Sequence, residues 1–205
     1  MTIPAAIPDA IPAAATRPAS PTRLVDGEEL PVAGAWTIDP GHTSVELIGR
    51  HFMMTKVRVR LSDVAGTVVI ADDPAASSVV VTLGMASVSS SNADRDDHLR
   101  SPDFFDVERH PTATFRSTHV TWIDNTAEVT GDLTIVGITR PVVLDVELLG
   151  VTNDPWGGSR AVFSAHTEIN REDWGLTWNQ ALETGSVLVS KKIRIEIETE
   201  TVLAR

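Results

Sequence analysis

The sequence predicts an all-β domain of about eight antiparallel strands, arranged as a sandwich or as an up-and-down barrel. This expectation rests on three features. From Trp36 onward apolar residues recur at alternate positions, the period of a half-buried strand. Turn formers (ADDP, IDNT and NDPWGG) separate the alternating runs. No long amphipathic helical pattern interrupts them.

In chain order, residues 1–34 come first and are rich in Pro and Ala. Ile3, Ile7 and Ile11 repeat at helical spacing, but Pro4, Pro8 and Pro12 repeat with them and lack the N–H a helix interior needs. The segment is read as a flexible Pro/Ala-rich tail, and residues 35–205 as the folded domain. The strand candidates are SVELIGR, VAGTVVIA, SVVVTLGMA, TATFRSTHVTW, AEVTGDLTI, PVVLDVELLGV, RAVFSAHTEI and KIRIEIETETVLA. The last alternates most regularly, with Ile193, Ile195 and Ile197 opposite Arg194, Glu196, Glu198 and Glu200. Two stretches carry helical signals instead. HFMMTKV groups Phe52, Met53 and Met54; residues 92–106 offer Asn92 or Asp94 as N-cap, acidic residues in the first turn and Pro102 as the stop. Small residues on the apparent inner faces (Gly49, Gly66, Gly131 and Ala165) favour an internal cavity over a filled barrel, although they also occur where strands bend.

The 205 residues suffice for one domain with a real core. There is no Cys, which excludes thiol catalysis, zinc–thiolate sites and disulfides. A net charge of −11 argues against nucleic acid and anionic membrane surfaces as partners. No run is apolar enough to insert stably in a bilayer as a helix, and no signal-peptide pattern is seen, so a cytoplasmic location is expected with export left open. An exposed strand edge would allow a homodimer.

Chemistry-bearing residues concentrate in DRDDHLRSPDFFDVERHPTATF, residues 94–115, where six carboxylates, three arginines and two histidines surround Phe104 and Phe105. Asp94, Asp97 and His98 could ligate a metal from one helical turn, but Arg95 and Arg100 flank them and would repel a dication. No HxH or HExxH spacing exists, and neither metal nor cofactor is expected. Ser87 and Ser89 to Ser91 lack nucleophile-elbow glycines. His42, His51 and His166 read as hydrogen-bonded structural groups.

The same residues carry a resemblance. WTIDPGHTSVEL, DRDDHLRSPDFFDVERHPTATF, GDLTIVGITRPV, INREDWG and the alternating final strand resemble the YceI-like family in order and spacing, from Trp36 to Val202. The resemblance implies a lipocalin-like, extended antiparallel β-barrel of eight strands with short helices at its openings. It also implies a polyisoprenoid or similar long amphiphile in the lumen and no catalytic activity. Two departures stand out: many relatives carry a secretion signal where this chain has its Pro/Ala tail, and Ser190-Lys191-Lys192 replaces a Gly-acidic turn before the final strand.

On this reading the DRDDHLR segment is a polar helix over a barrel opening, with Leu99, Phe104 and Phe105 turned inward. Phe52, Met53 and Met54 face them as an adaptable wall. Arg95, His98 and Arg100 are candidates for holding a polar head, with fastening the helix as their alternative role. Phe115 and Phe163 are expected on the lumen wall, and Trp174 and Trp178 at the opposite opening. The expected function is non-enzymatic binding of a long isoprenoid, such as an isoprenoid quinone or a polyprenyl phosphate, for storage or transport. The rivals are a fatty acid or fatty amide in the same lumen, an enzyme using His98 and a nearby Asp on an amphiphile, and a filled barrel acting through its tail.

Overall fold

The alternating sequence is realised as one continuous antiparallel sheet that closes on itself. The computed structural model describes residues 20–181 and 187–204. A short hairpin, β1 (Thr22–Val25) and β2 (Glu28–Pro31), precedes the long strand β3 (Gly34–His51). Then follow β4 (Thr55–Leu61), β5 (Val64–Ile70), β6 (Ser78–Gly84), helix α1 (Ala93–Arg100), β7 (Thr112–Ile123), β8 (Thr126–Ile135), β9 (Ile138–Asn153), β10 (Ser159–Asn170) and β11 (Lys192–Leu203).

The sheet runs β11-β10-β9-β8-β7-β6-β5-β3-β4, and β11 also pairs with β3, which closes it. Strand β3 pairs with β5 through 34–37 and with β4 through 45–51, so β4 and β5 act as one strand broken at Ser62–Asp63. The result is a closed eight-stranded antiparallel barrel, with α1 and three short 3₁₀ turns at its ends and corners. This is the barrel alternative of the two open to the sequence. Along β8, Val129, Leu133 and Ile135 turn inward while Glu128 and Asp132 stay exposed, the division their period predicts.

Three local expectations are corrected. HFMMTKV is not helical: Phe52 and Met53 form a tight turn and 55–57 begin β4. The 1–34 segment is not wholly tail, because 22–31 fold as the hairpin; residues 1–19 lie outside the described chain. The hairpin is anchored by Arg23, which donates to the carbonyls of Ala71 and Asp72. Leu30 joins Trp36, Ile70, Leu148, Ala161 and Phe163 in a second core cluster. Trp36 is fully buried, and its indole N–H reaches Val32 O at 3.1 Å. Finally, Gly66 and Gly131 do not open the lumen. A Cβ on Gly131 would meet the Phe115 ring, and one on Gly66 would lie 2.9 Å from Ile38 Cδ1. Gly131 sits beside the bulge between Ser117 and His119.

Candidate binding cavity

Inward-facing side chains of the barrel enclose a cavity of about 170 Å³. Its wall contains no charged residue. It is hydrocarbon except for the hydroxyls of Thr43, Ser77, Thr167 and Thr199, the Met85 thioether and the Trp122 indole. Phe115 and Phe163 lie on this wall, as does Ala165. The Trp122 indole N–H is buried with no acceptor among the described residues.

A second cavity of about 280 Å³ lies at the end where β3 turns into β4. Leu47, Phe105, Ile135 and Ile195 belong to both walls, so the buried Phe105 ring stands at the junction of lumen and upper chamber. The upper chamber differs in character. Arg50, His51, Arg95, His98 and Arg171 line it together with apolar groups, and no carboxylate does.

The α1 segment is held over this end by polar groups. Asn92 caps the helix, its side-chain oxygen accepting from Arg95 N–H at 2.9 Å. Asp96 is buried and accepts from the Ser90 N–H at 2.6 Å and from the Ser89 and Ser90 hydroxyls. Burial raises the Asp96 pKa, but these hydrogen bonds outweigh it and hold the carboxyl below its ordinary value. Arg100 donates to Ala86 O at 3.2 Å, Val88 O at 2.6 Å and Asp97 at 3.1 Å. It lines neither cavity, so here it fastens the helix. Beyond α1, Phe105 N–H bonds Leu99 O at 3.0 Å, which sets the turn that aims the Phe105 ring at the lumen.

The other residues singled out from sequence are distributed unevenly. Arg95, His98, Leu99, Phe104 and Phe105 converge on the upper chamber. Phe52, Met53 and Met54 line neither cavity and are exposed at the tip of the β3–β4 hairpin. Trp178 lies at the same end as α1, not the opposite one. Its indole meets His98 edge-on, ring centroids 4.6 Å apart, and Phe104 at 5.2 Å. Trp174 is buried, donates to Leu133 O at 3.0 Å and lines neither cavity. His98 also pairs with Asp103 at 3.0 Å.

Arg171 was not a candidate from sequence. It follows β10, is only 3% exposed, and donates Nε to Ser190 O at 3.1 Å and Nη1 to Leu176 O. Its Nη2 has no partner among the described residues. Burial pushes the pKa of its guanidinium below the ordinary value, with Glu172 opposing. Followed in sequence by Glu172 and Asp173, Arg171 looks like part of a solvated charge run; only the closing of β10 against β11 reveals its burial.

Among the described residues, one trio has metal-compatible spacing: Asp39, His42 and Glu200. Arg160 already supplies the cation there, with Nη1 2.8 Å from Asp39 and 2.9 Å from Glu200. No helix is long and apolar enough to cross a membrane among these residues.

Known proteins match this architecture. The YceI-like domain model covers residues 36–201. A UPF0312 protein of Pseudomonas paraeruginosa is 40% identical over 136 residues, 66% of this chain and 71% of that protein. The Campylobacter jejuni YceI crystal structure superposes with a TM-score of 0.65 at 29% identity, covering 76% of this chain and 90% of that one. A polyisoprenoid binding domain from Saccharophagus degradans shares the fold, with a TM-score of 0.62 at 12% identity, covering 84% of this chain and all of that one. The chain belongs to the YceI-like domain family.

Proposed function

We propose that this protein binds a single long isoprenoid chain in the barrel lumen, with its polar end in the upper chamber, and stores or transfers it without covalent change. The observation that carries this reading is the uncharged lumen joined to a polar-rimmed chamber at Phe105. An apolar cavity of about 170 Å³ left empty costs roughly 4 kcal/mol at about 24 cal/mol per Å³, so hydrocarbon that fills it is held strongly. Each buried CH₂ contributes about 0.8 kcal/mol, less the entropy of ordering a flexible chain. Membership of the YceI-like family supports the reading, as does the polyisoprenoid binding of the Saccharophagus domain with the same fold.

A titration with prenyl alcohols of increasing length tests it. Affinity should rise with each isoprene unit and then level off once the lumen is full, and Phe105→Asp should abolish the trend while Arg109→Ala leaves it intact. Arg109 is exposed and paired with Asp106 outside the lumen, whereas a carboxylate at 105 would face hydrocarbon. Affinity independent of chain length, or equal behaviour of the two variants, would refute the placement. Saturated acyl chains of matched length binding more tightly than prenyl chains would assign the lumen to fatty acids or fatty amides.

A further inference from the structure

We infer that the tip of the β3–β4 hairpin is a docking surface for an anionic lipid bilayer, placed so that the upper chamber lies beside the membrane. Phe52, Met53 and Met54 stand at this tip with 41%, 47% and 73% of their surface exposed. Single apolar residues scattered over a surface are ordinary, but three in succession on one projecting turn are not. None of the three joins either core cluster or lines a cavity. Phe52 and Met53 are also held at positive φ, where Asn and Gly fit more easily. The tip is fixed next to the chamber. Phe52 N–H donates to Leu188 O at 2.9 Å and His51 bridges to Val189, and His51, Leu188 and Val189 all line the chamber wall.

The charge around the tip fits the same partner. From Leu47 to Leu61 the chain carries Arg50, Lys56, Arg58 and Arg60 and no carboxylate. All four are exposed; Arg58 pairs with Glu46 at 3.4 Å, and the others have no ion pair among the described residues. On β4 the cations alternate with Val57 and Val59, which line the chamber, so Lys56, Arg58 and Arg60 project from the outer face. Strand β4 ends the order of the sheet, and basic residues on such an edge discourage pairing with a further strand. Edge protection explains these cations but not the bare Phe and Met beside them. A bilayer surface takes both, since apolar groups sink to the headgroup boundary while basic side chains meet anionic lipid. The net charge of −11 opposes such docking only at long range, because charges farther than about 8–10 Å are largely screened at physiological salt. On the neighbouring α1, Asp96 is buried and Asp97 pairs with Arg100, which leaves Asp94 as its one carboxylate without a partner among the described residues.

Flotation of the full chain with two sets of vesicles tests the inference, one of phosphatidylcholine and one of phosphatidylcholine and phosphatidylglycerol in equal parts. The wild type should partition onto the mixed vesicles at least about tenfold more than onto the neutral ones at low salt, and the excess should shrink as salt rises. Met53→Ser combined with Met54→Ser should bind the mixed vesicles at least about tenfold less, with an unchanged melting temperature because both side chains are exposed. Lys56→Gln combined with Arg60→Gln should lose roughly fivefold per charge removed, on the mixed vesicles only. Failure of the wild type to float with either set would overturn the proposal, and that measurement needs no variant. Undiminished binding by the folded double Met variant would place the contact elsewhere on the chain and overturn it as well. Equal partitioning of the wild type onto the two sets would remove the basic flank, and with it the anionic partner. None of these readouts requires a chain in the lumen, so the inference stands or falls apart from the prenyl titration.

Discussion

The ring of Phe115 occupies the space that a side chain on Gly131 would need. A Cβ at Gly131 would also come within 2.6 Å of the Arg116 carbonyl oxygen, so backbone as well as ring would have to move. Phe115 is a lumen-wall residue, and the glycine therefore sets how far the ring withdraws from the cavity. Gly131→Ala should lower stability by about 1–3 kcal/mol, the usual cost of overpacking, and reduce chain retention together with it. Gly150→Ala, where nothing lies within 4 Å, should change stability by less than about 1 kcal/mol. Urea unfolding of the two variants checks this; equal losses would show that Phe115 yields freely.

The turn at Phe52 and Met53 is built against residue preference. Both have positive φ, 51° and 59°, and Met54 N–H bonds His51 O at 3.0 Å, the geometry of a hairpin turn with two left-handed residues. Bulky side chains there cost about 1–2 kcal/mol each, whereas Asn-Gly adopts the conformation readily. Replacing Phe52 by Asn and Met53 by Gly should therefore raise the melting temperature by several degrees. Since neither residue lines a cavity, chain binding at equilibrium should be unaffected. A fall in melting temperature would show that these exposed side chains hold the turn by contacts that outweigh its strain.

The lower end of the barrel is tied by Arg160, which reaches Asp39, Asp154 and Glu200. The Arg160 guanidinium, with His42 adding to it, holds the Asp39 carboxyl at about 2 against an ordinary value of 3.8. A carboxyl whose folded pKa is depressed contributes stability that is complete above its unfolded value. That contribution is lost as pH falls from 3.8 through about 2. Asp39→Asn should thus flatten part of the acid limb of the stability curve in that window while costing stability at neutral pH. An unchanged acid limb would mean that the ion pair is fully screened by water.

Much of this was legible in one dimension because strand alternation survives closure: the period that places Ile193, Ile195 and Ile197 on one face also aims Ile195 and Ile197 at the lumen. The α1 cap and the inward turn of Phe105 follow from local signals, the Asn92 cap and the Pro102 stop. What periodicity hid had physical causes. Strand β4 was masked by Phe52, Met53 and Met54, whose grouping suggests a helix although left-handed backbone makes it a turn. The β1–β2 hairpin lies in Pro- and Ala-rich sequence and depends on Arg23 bonds to residues some fifty positions away. Trp178 joins His98 only because the segment after β10 folds back across the same opening as α1. Likewise the burial of Arg171 depends on pairing between β10 and β11, which local charge patterns do not encode.

The central claim, that the lumen exists to hold a chain, is tested most directly by the mass of the protein purified without detergent. Native mass spectrometry should show one adduct per chain, and organic extraction should release a prenyl species while lowering the melting temperature of the protein left behind. A mass equal to the bare polypeptide, with stability unaffected by extraction or by added prenyl alcohol, would contradict it.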